Sequence, residues 1–399
     1  MAEGCRVIPS RAGRRPSEPC QSSPTSPRVR RVETRPELQR HVSRRRIDEG
    51  GILPNKAFPQ RSRDHSIEDI ARATRVSVST VSRILNNRPD VSEATRKRVL
   101  AVIQRMGYFP HPHARRLASG TSDTIAMLHP VTGNADYLLL DFILGASAVT
   151  EEQRFFFNFV TRPLTPDDLR SIYRSRHADG VILMQVCLSD WRVDFLRRAG
   201  LPFAMIGRTA ECGDLCYVDP DFHAAVTTVM DHLTGLGHRR IGYLQHPRAL
   251  MEEGYGPAVR QSDAYLRYVK DRGLPSLLTE ADFSYAGSYK ATRALLETEP
   301  DVTAMVSPSG DGVSGIIEAA RHSGRRVPED FSVVSSSCAE RAAMSILPAL
   351  TSVNMEANLM GSIAARMLIR LLKDRSYVPE QILRPPVFTV RNSTARARG

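Results

Sequence analysis

The sequence predicts an α/β protein in which a small all-helical module precedes a larger body built on parallel sheet. Three observations predict it. Residues 66–106 carry short stretches of helical periodicity closed by capping residues. From residue 123 onward, strand-length apolar runs alternate with longer amphipathic stretches, the βαβα order of a parallel sheet covered on both faces. The formal net charge of +12 lies wholly in the first 120 residues: residues 1–65 contribute +8, residues 66–120 contribute +6, and the remainder contributes −2. A polyanion binder with an electrically ordinary body distributes its charge in this way.

Length and composition narrow the class. A chain of 399 residues suits two or three domains, and 41% hydrophobic residues suffice for a sizeable core. No run of roughly eighteen apolar residues marks a membrane span. The charged, Pro-rich start lacks the apolar core of a signal peptide, so a cytoplasmic location is expected. The six cysteines are scattered and form no CxxC pair. Cys212 and Cys216 stand four apart without a second ligand pair nearby, so no metal or other cofactor is expected, and the thiols read as free cysteines of a reducing compartment.

Residues 1–65 are rich in Arg, Pro and Ser, include the cluster Arg44-Arg45-Arg46, and read as a disordered basic extension. A first helix over about 67–74 places Ile67, Ile70, Ala71 and Thr74 on one face. After the turn Arg75-Val76-Ser77, a second helix over about 78–86 buries Val81 and Ile84. Ser92 is an N-cap for a third helix, along which Val99, Val102, Ile103 and Met106 repeat the helical spacing before Gly107 stops it. Two short helices joined by a tight turn can insert the second into a major groove about 12 Å wide. Its short side chains Val78, Ser79, Thr80 and Ser82, with Arg83, can approach base edges closely.

In the body, strands are expected at Thr124–Leu128, Gly180–Met184, Phe203–Ile206, Arg240–Leu244, Ala304–Val306 and Phe331–Val334. Helices are expected between them, as at Ala224–Leu236 and Gly312–His322. No HExxH, GxSxG, Gly-rich phosphate loop or Cys–His pair in a suitable context appears, so the chain does not read as an enzyme. His238 reads as a structural loop histidine.

The run Thr80-Val81-Ser82-Arg83-Ile84-Leu85-Asn86 resembles the helix-turn-helix of the lactose-repressor (LacI) family. The likeness continues through Val91-Ser92, Thr95-Arg96 and Gly107-Tyr108-Phe109-Pro110. The resemblance implies a DNA-binding domain over 66–109, with Val78 and Ser79 choosing operator sequence and Thr80, Ser82, Arg83, Asn86 and Tyr108 adding base or phosphate contacts. It also implies a hinge helix over 110–122 that orders in a homodimer on DNA, with Leu117 wedged into the minor groove, Ala114 packing and Arg115 near phosphate. His111 stands where the family usually has Asn. Leu117→Ala is expected to lower specific affinity sharply and to leave non-specific binding nearly unchanged, as read by titration against the selected site and scrambled duplex.

Residues 123–394 resemble the family's effector core, which has the periplasmic-binding-protein fold of two α/β subdomains. The pieces that carry the likeness include Gly200–Arg208, Val218-Asp219, Gly237–Ile241, Arg326–Val334 and Val390–Thr394. The resemblance implies three crossovers, placed near 217–220, 335–338 and 352–356, and a small-molecule effector in the cleft, a sugar or sugar derivative. By position Arg260 matches the ligand-contacting arginine and Phe283 the stacking aromatic, with Arg208, Asp219, Tyr137 and Asp311 as further candidates. Two departures remove carboxylates that would grip hydroxyls. Ser309-Gly310 replaces the family's Asn-Asp with Asp311 displaced by one, and Ser335–Cys338 replaces a Gly-Phe-Asp-Asp run. The implied activity is control of transcription at a pseudo-palindromic double-stranded operator, by repression as the family default. Two other readings stay open: a DNA-binding architectural protein with a vestigial pocket, and a solute-binding protein, against which the helix-turn-helix argues.

Overall fold

A computed structural model describes residues 65–85, 88, 90–108, 121–130, 137–374 and 376–398. The basic extension up to residue 64, Asn86, and the hinge residues Ala114, Arg115 and Leu117 lie outside the described residues, as does the side chain of Tyr137. The chain divides between Tyr108 and Phe109 into two compact units.

The first unit consists of α1 (Ile67–Thr74), α2 (Val78–Leu85) and α3 (Glu93–Met106). A capping box starts α1: Asp69 N–H donates to Ser66 Oγ at 3.3 Å, and Ser66 N–H donates to Asp69 Oδ2 at 3.0 Å. Arg75, in the left-handed region at φ 54°, ends it. Thr80 N–H donates to Ser77 Oγ at 3.1 Å, so Ser77 satisfies an open donor at the start of α2. Ser92 caps α3, and Gly107 closes it at φ 61°. Ile70, Ala71, Val81, Ile84, Val99 and Val102 form the core of the unit, as the helical spacing predicts for each.

The second unit has two lobes. In chain order the first receives β1 (Thr124–Leu128), α4 (Tyr137–Glu152), β2 (Phe156–Val160), α5 (Pro166–Arg174), β3 (Gly180–Leu183), α6 (Trp191–Ala199), β4 (Phe203–Ile206) and β5 (Tyr217–Pro220). The second receives α7 (Phe222–Gly235), β6 (Ile241–Gln245), α8 (Arg248–Glu252), α9 (Gly256–Asp271), β7 (Leu277–Glu280) and α10 (Tyr285–Thr298). It continues with β8 (Ala304–Ser307), α11 (Val313–His322), β9 (Ser332–Ser335), α12 (Glu340–Ser345) and β10 (Thr351–Asn354). The chain returns to the first lobe for α13 (Ala357–Lys373) and β11 (Gln381–Arg384), then ends in the second with β12 (Val387–Thr389).

The sheets run β11-β5-β4-β3-β1-β2 and β12-β10-β9-β8-β6-β7. Every pairing is parallel except β10 with β12. The central strands are buried along their whole length, which is why they read as continuous apolar runs. Helix α4 lies against α13, and a Cβ on Gly145 or Gly361 would meet the other helix's backbone carbonyls.

The crossovers fall after β5, after β10 and between β11 and β12. The first and the last-but-one match the sequence placement, but the expected crossover at 335–338 is corrected to Arg384–Val387. Residues 335–338 stay in the second lobe because their polar groups are used there. Ser336 N–H donates to Ser307 O, Cys338 N–H donates to Val353 O, and Ser336 Oγ donates to Gln261 Oε1 at 2.8 Å. The real crossing carries Pro385-Pro386, which lack backbone donors and so cannot extend a ladder. His238 is structural as expected: it is buried and its ring nitrogens pair with Thr303 Oγ1 at 2.8 Å and Ser332 Oγ at 3.0 Å.

Candidate functional site

Helix α2 presents two unlike faces. Val81 and Ile84 turn inward, while Val78, Ser79 and Arg83 are exposed and Ser82 is half-buried on the opposite side. That outward face is the one sequence reasoning assigned to DNA. Ser77, which that reasoning treated only as turn, organises it: Ser77 Oγ lies 2.7 Å from Ser79 Oγ and 2.8 Å from Thr80 Oγ1. Arg83 pairs with Asp90 at 3.5 Å, with both side chains more than half exposed. Such a pair contributes little to stability, so the guanidinium is available for exchange onto phosphate. Tyr108 is corrected from the contact face to the interior: its ring is 8% exposed and packs in the core of the module.

In the second unit a cavity of about 360 Å³ opens between the lobes. It lies at the C-terminal ends of β1, β3, β4, β6 and β8, where ligands of open parallel sheets bind. Phe283, Asp219 and Asp311, three of the effector candidates, are among the residues that line it. Phe283 is held at φ 57°, an unusual conformation for an aromatic residue, and so is Gln185 at φ 51° in the same lining.

Arg260 and Arg208 are corrected: neither lines the cavity. Arg260 Nη2 donates to the carbonyls of Arg208 at 2.9 Å and Thr209 at 3.1 Å, and Arg208 Nε donates to Asp219 Oδ2 at 2.9 Å. The fork expected to grip a ligand instead ties α9 of the second lobe to the loop after β4 of the first. The two guanidiniums and the carboxylate of Asp219 form one half-buried cluster. Burial pushes the Asp219 carboxyl up to about 6 against the pull of Arg260 and Arg208. Its Oδ1 is buried and, among the described residues, accepts no hydrogen bond.

Sequence reasoning missed the cavity's histidines. His129 and His246 are both buried, and burial lowers both pKa values, that of His246 to about 4. The His246 ring meets Phe283 edge-on at 4.6 Å and Tyr255 at 5.9 Å between centroids. A neutral aromatic histidine leaves no mark in the sequence, because burial and not spacing makes it so. Its effect on stability has a definite sign. The unfolded chain protonates His246 near 6.5 and the folded chain only near 4, so the stabilisation is complete above 6.5 and is lost as pH falls from there toward 4. The full difference is worth roughly 3 kcal/mol. His246→Phe, which keeps a ring and removes the titration, is expected to flatten the fall in Tm across pH 6.5–4. Parallel Tm profiles for parent and variant would count against the assignment.

The lobes also meet through their backbones. Leu188 N–H donates to Gly254 O at 2.7 Å and Gly256 N–H donates to Val186 O at 3.1 Å, an antiparallel bridge across the cleft mouth. Arg341 on α12 pairs with Asp141 on α4 at 3.0 Å.

An exposed recognition helix in one unit and a ligand-sized interlobe cleft in the other define a ligand-responsive DNA-binding regulator. Comparison with known proteins agrees. Residues 66–111 match the family model for bacterial regulatory proteins of the lacI family, and residues 230–394 match that of a periplasmic binding protein-like domain. The HTH-type transcriptional regulator CelR of Thermobifida fusca is 30% identical over 349 residues, covering 84% of this chain and 99% of that protein. The catabolite control protein A of Priestia megaterium is 26% identical, covering 82% and 99%.

Among solved structures, a CelR–cellobiose complex superposes with a TM-score of 0.61 at 28% identity, covering 82% of this chain and 99% of that one. The lac repressor dimer bound to operator and the anti-inducer ONPF reaches a TM-score of 0.73 at 20% identity, covering 83% and 99%, which shows the shared fold. The chain belongs to the LacI family of bacterial regulatory proteins. Among the described residues no helix is long and apolar enough to cross a membrane.

Proposed function

We propose that the protein is a cytoplasmic transcriptional regulator, and not an enzyme, whose affinity for a pseudo-palindromic operator is set by a small molecule bound between the lobes. The observation that carries this reading is the pairing, in one chain, of an outward polar face on α2 with an enclosed cavity at the strand ends of the body. The family default is repression, and a sugar or sugar derivative is the effector class suggested by the cellobiose complex of the CelR relative. Ligand binding favours one arrangement of the lobes over another, and the hinge segment 110–122 carries that difference to the DNA.

The body has a surface suited to pairing two copies. Leu140 and Leu144, one turn apart on α4, are about half exposed, and Phe156 on the edge strand β2 is 66% exposed. A homodimer covers such apolar positions and sets two recognition helices one DNA turn apart. Leu144→Glu is therefore expected to shift sedimentation toward the monomer and to weaken operator binding by roughly 10²-fold, because two-site binding is lost. Selection of bound duplex from a random pool at fixed salt tests the function directly. A half-site repeat is expected, with affinity that changes when a cleft ligand is added. No preference between selected and scrambled duplex would overturn the reading.

A further inference from the structure

A buried ion pair stands at the start of α6. Asp190 and Arg192 are 5% and 6% exposed, and neither lines the cavity. Arg192 Nη2 donates to Asp190 Oδ2 at 2.6 Å and Arg192 Nε to Asp190 Oδ1 at 3.0 Å. The pair also grips the backbone of the segment just before it. Arg192 Nη2 donates to the carbonyls of Met184 at 3.1 Å and Gln185 at 3.0 Å, and Cys187 N–H donates to Asp190 Oδ2 at 3.2 Å.

The gripped segment serves both the cavity and the contact between lobes. Met184, Gln185 and Val186 line the cavity. Val186 O and Leu188 N–H make the two backbone bonds, to Gly256 and Gly254, that bridge the cleft mouth. Between these functions Gln185 stands in the left-handed region at φ 51°. A residue with a Cβ enters that region at a cost and stays only where its surroundings hold it. The two carbonyls held by Arg192 belong to the two peptide planes on either side of the Gln185 Cα. One guanidinium therefore fixes both backbone dihedrals of Gln185. A buried ion pair is by itself weak evidence of a role in stability, since desolvation offsets its Coulomb attraction. What this pair secures is the geometry of one turn.

We propose that Asp190 and Arg192 are positioning residues for the cleft. They hold Gln185 in its left-handed turn, and through that turn they set the first-lobe edge of the cavity and the strap to the second lobe. The consequence for ligand binding rests on the reading that this cavity holds the effector. The consequence for the strap does not.

The test is hydrogen exchange of the unliganded full chain, read by mass spectrometry on peptides covering residues 184–189 and 253–257. Arg192→Lys keeps a charge opposite Asp190 but has no planar fork to hold two carbonyls as well. It is expected to speed exchange in both peptides about tenfold or more and to leave β4 and β9 unchanged. Adding Gln185→Gly removes the Cβ that the clamp works against, and is expected to slow that exchange again several-fold while the Tm lost to Arg192→Lys stays lost. A merely structural ion pair would not give recovery of the strap without recovery of stability. Gln185→Val leaves the pair intact and opposes the turn directly. It is expected to speed exchange in the same two peptides, and it carries the test if Arg192→Lys does not fold.

Unchanged exchange in folded Arg192→Lys overturns the proposal, as does a rise spread evenly over the first lobe or a failure of Gln185→Gly to reverse it. Without a folded Arg192→Lys, unchanged exchange in Gln185→Val overturns it. Cellobiose, the sugar of the CelR complex, is the binding probe. Where the parent binds it in calorimetry, Arg192→Lys is expected to weaken binding about tenfold, as the competent arrangement loses population, and equal affinity removes the link to the ligand. Where the parent does not bind it, that choice of ligand fails and the exchange result alone decides the clamp.

Discussion

Ile70→Ala is expected to unfold the helix-turn-helix unit and abolish sequence-specific DNA binding while the body melts as before. Ile70 is fully buried at the centre of a core that, among the described residues, has seven buried hydrophobic members, Val81 and Ile84 of the recognition helix among them. Removing such a side chain costs about 2–5 kcal/mol, from lost transfer free energy and from the cavity left behind. A unit of this size buries too little surface to have much more than that in reserve. The outward face of α2 has no means of staying rigid once Val81 and Ile84 lose the surface they pack on. Two transitions are therefore expected in calorimetry of the parent, and only the one belonging to the small unit should disappear in the variant. Binding of a cleft ligand, read by its thermal shift on the remaining transition, should persist. Retention of specific operator binding by Ile70→Ala, or an equal loss in both transitions, would contradict the division of the chain at Tyr108.

The three helices of the small unit were readable from the sequence because their signals are local. Helical spacing from Ile67 to Met106, the Ser92 cap and the Gly107 stop each concern residues within one or two turns of one another. The Ser66–Asp69 capping box is equally local, and its Ser-x-x-Asp pattern was open to reading. Helix α4 was harder. Its run Tyr-Leu-Leu-Leu-Asp-Phe-Ile-Leu is apolar nearly all round, since one side meets α13, another faces the cleft and a third is exposed, so no single stripe marks it.

The misplaced crossover has a similar cause. Four small polar residues at 335–338 look like chain leaving a sheet, yet their hydrogen bonds go to Ser307, Gln261 and Val353. Phe283, Asp219 and Asp311, named from the sequence as effector candidates, do fall on the cavity lining. Arg260 was placed correctly in the chain but not in its role, because its partners are the carbonyls of residues 208 and 209, which no side-chain pattern advertises. The apolar part of the cavity lining was invisible for a plainer reason. Leu138, Met184, Ile206 and Met360 come from four separate elements and read as ordinary core until the sheets are assembled.

Gly256 offers the sharpest test of how the lobes are held. It opens α9, and its N–H makes one of the two backbone bonds that bridge the cleft mouth. A Cβ at this position would lie 2.8 Å from Val186 O, a backbone atom of the opposite lobe, and would also run into the Arg260 guanidinium. Neither obstacle yields by a side-chain rotation alone, since Arg260 is itself bonded to the carbonyls of residues 208 and 209. Gly256→Val must therefore separate the segment 186–188 from 254–256 and favour a more open body. If the bridged arrangement is the one that binds ligand, the apparent Kd rises by the factor through which its population falls, and a loss of about tenfold or more is expected. Small-angle scattering of the unliganded variant should show a larger radius of gyration that ligand only partly restores. Operator affinity should stop responding to ligand at concentrations that switch the parent. Gly235→Ala, at the end of α7 with open space around the added methyl, is the matched control and should behave as the parent does. Parent-like ligand binding by Gly256→Val would mean that the strap across the cleft mouth is not part of the binding-competent state.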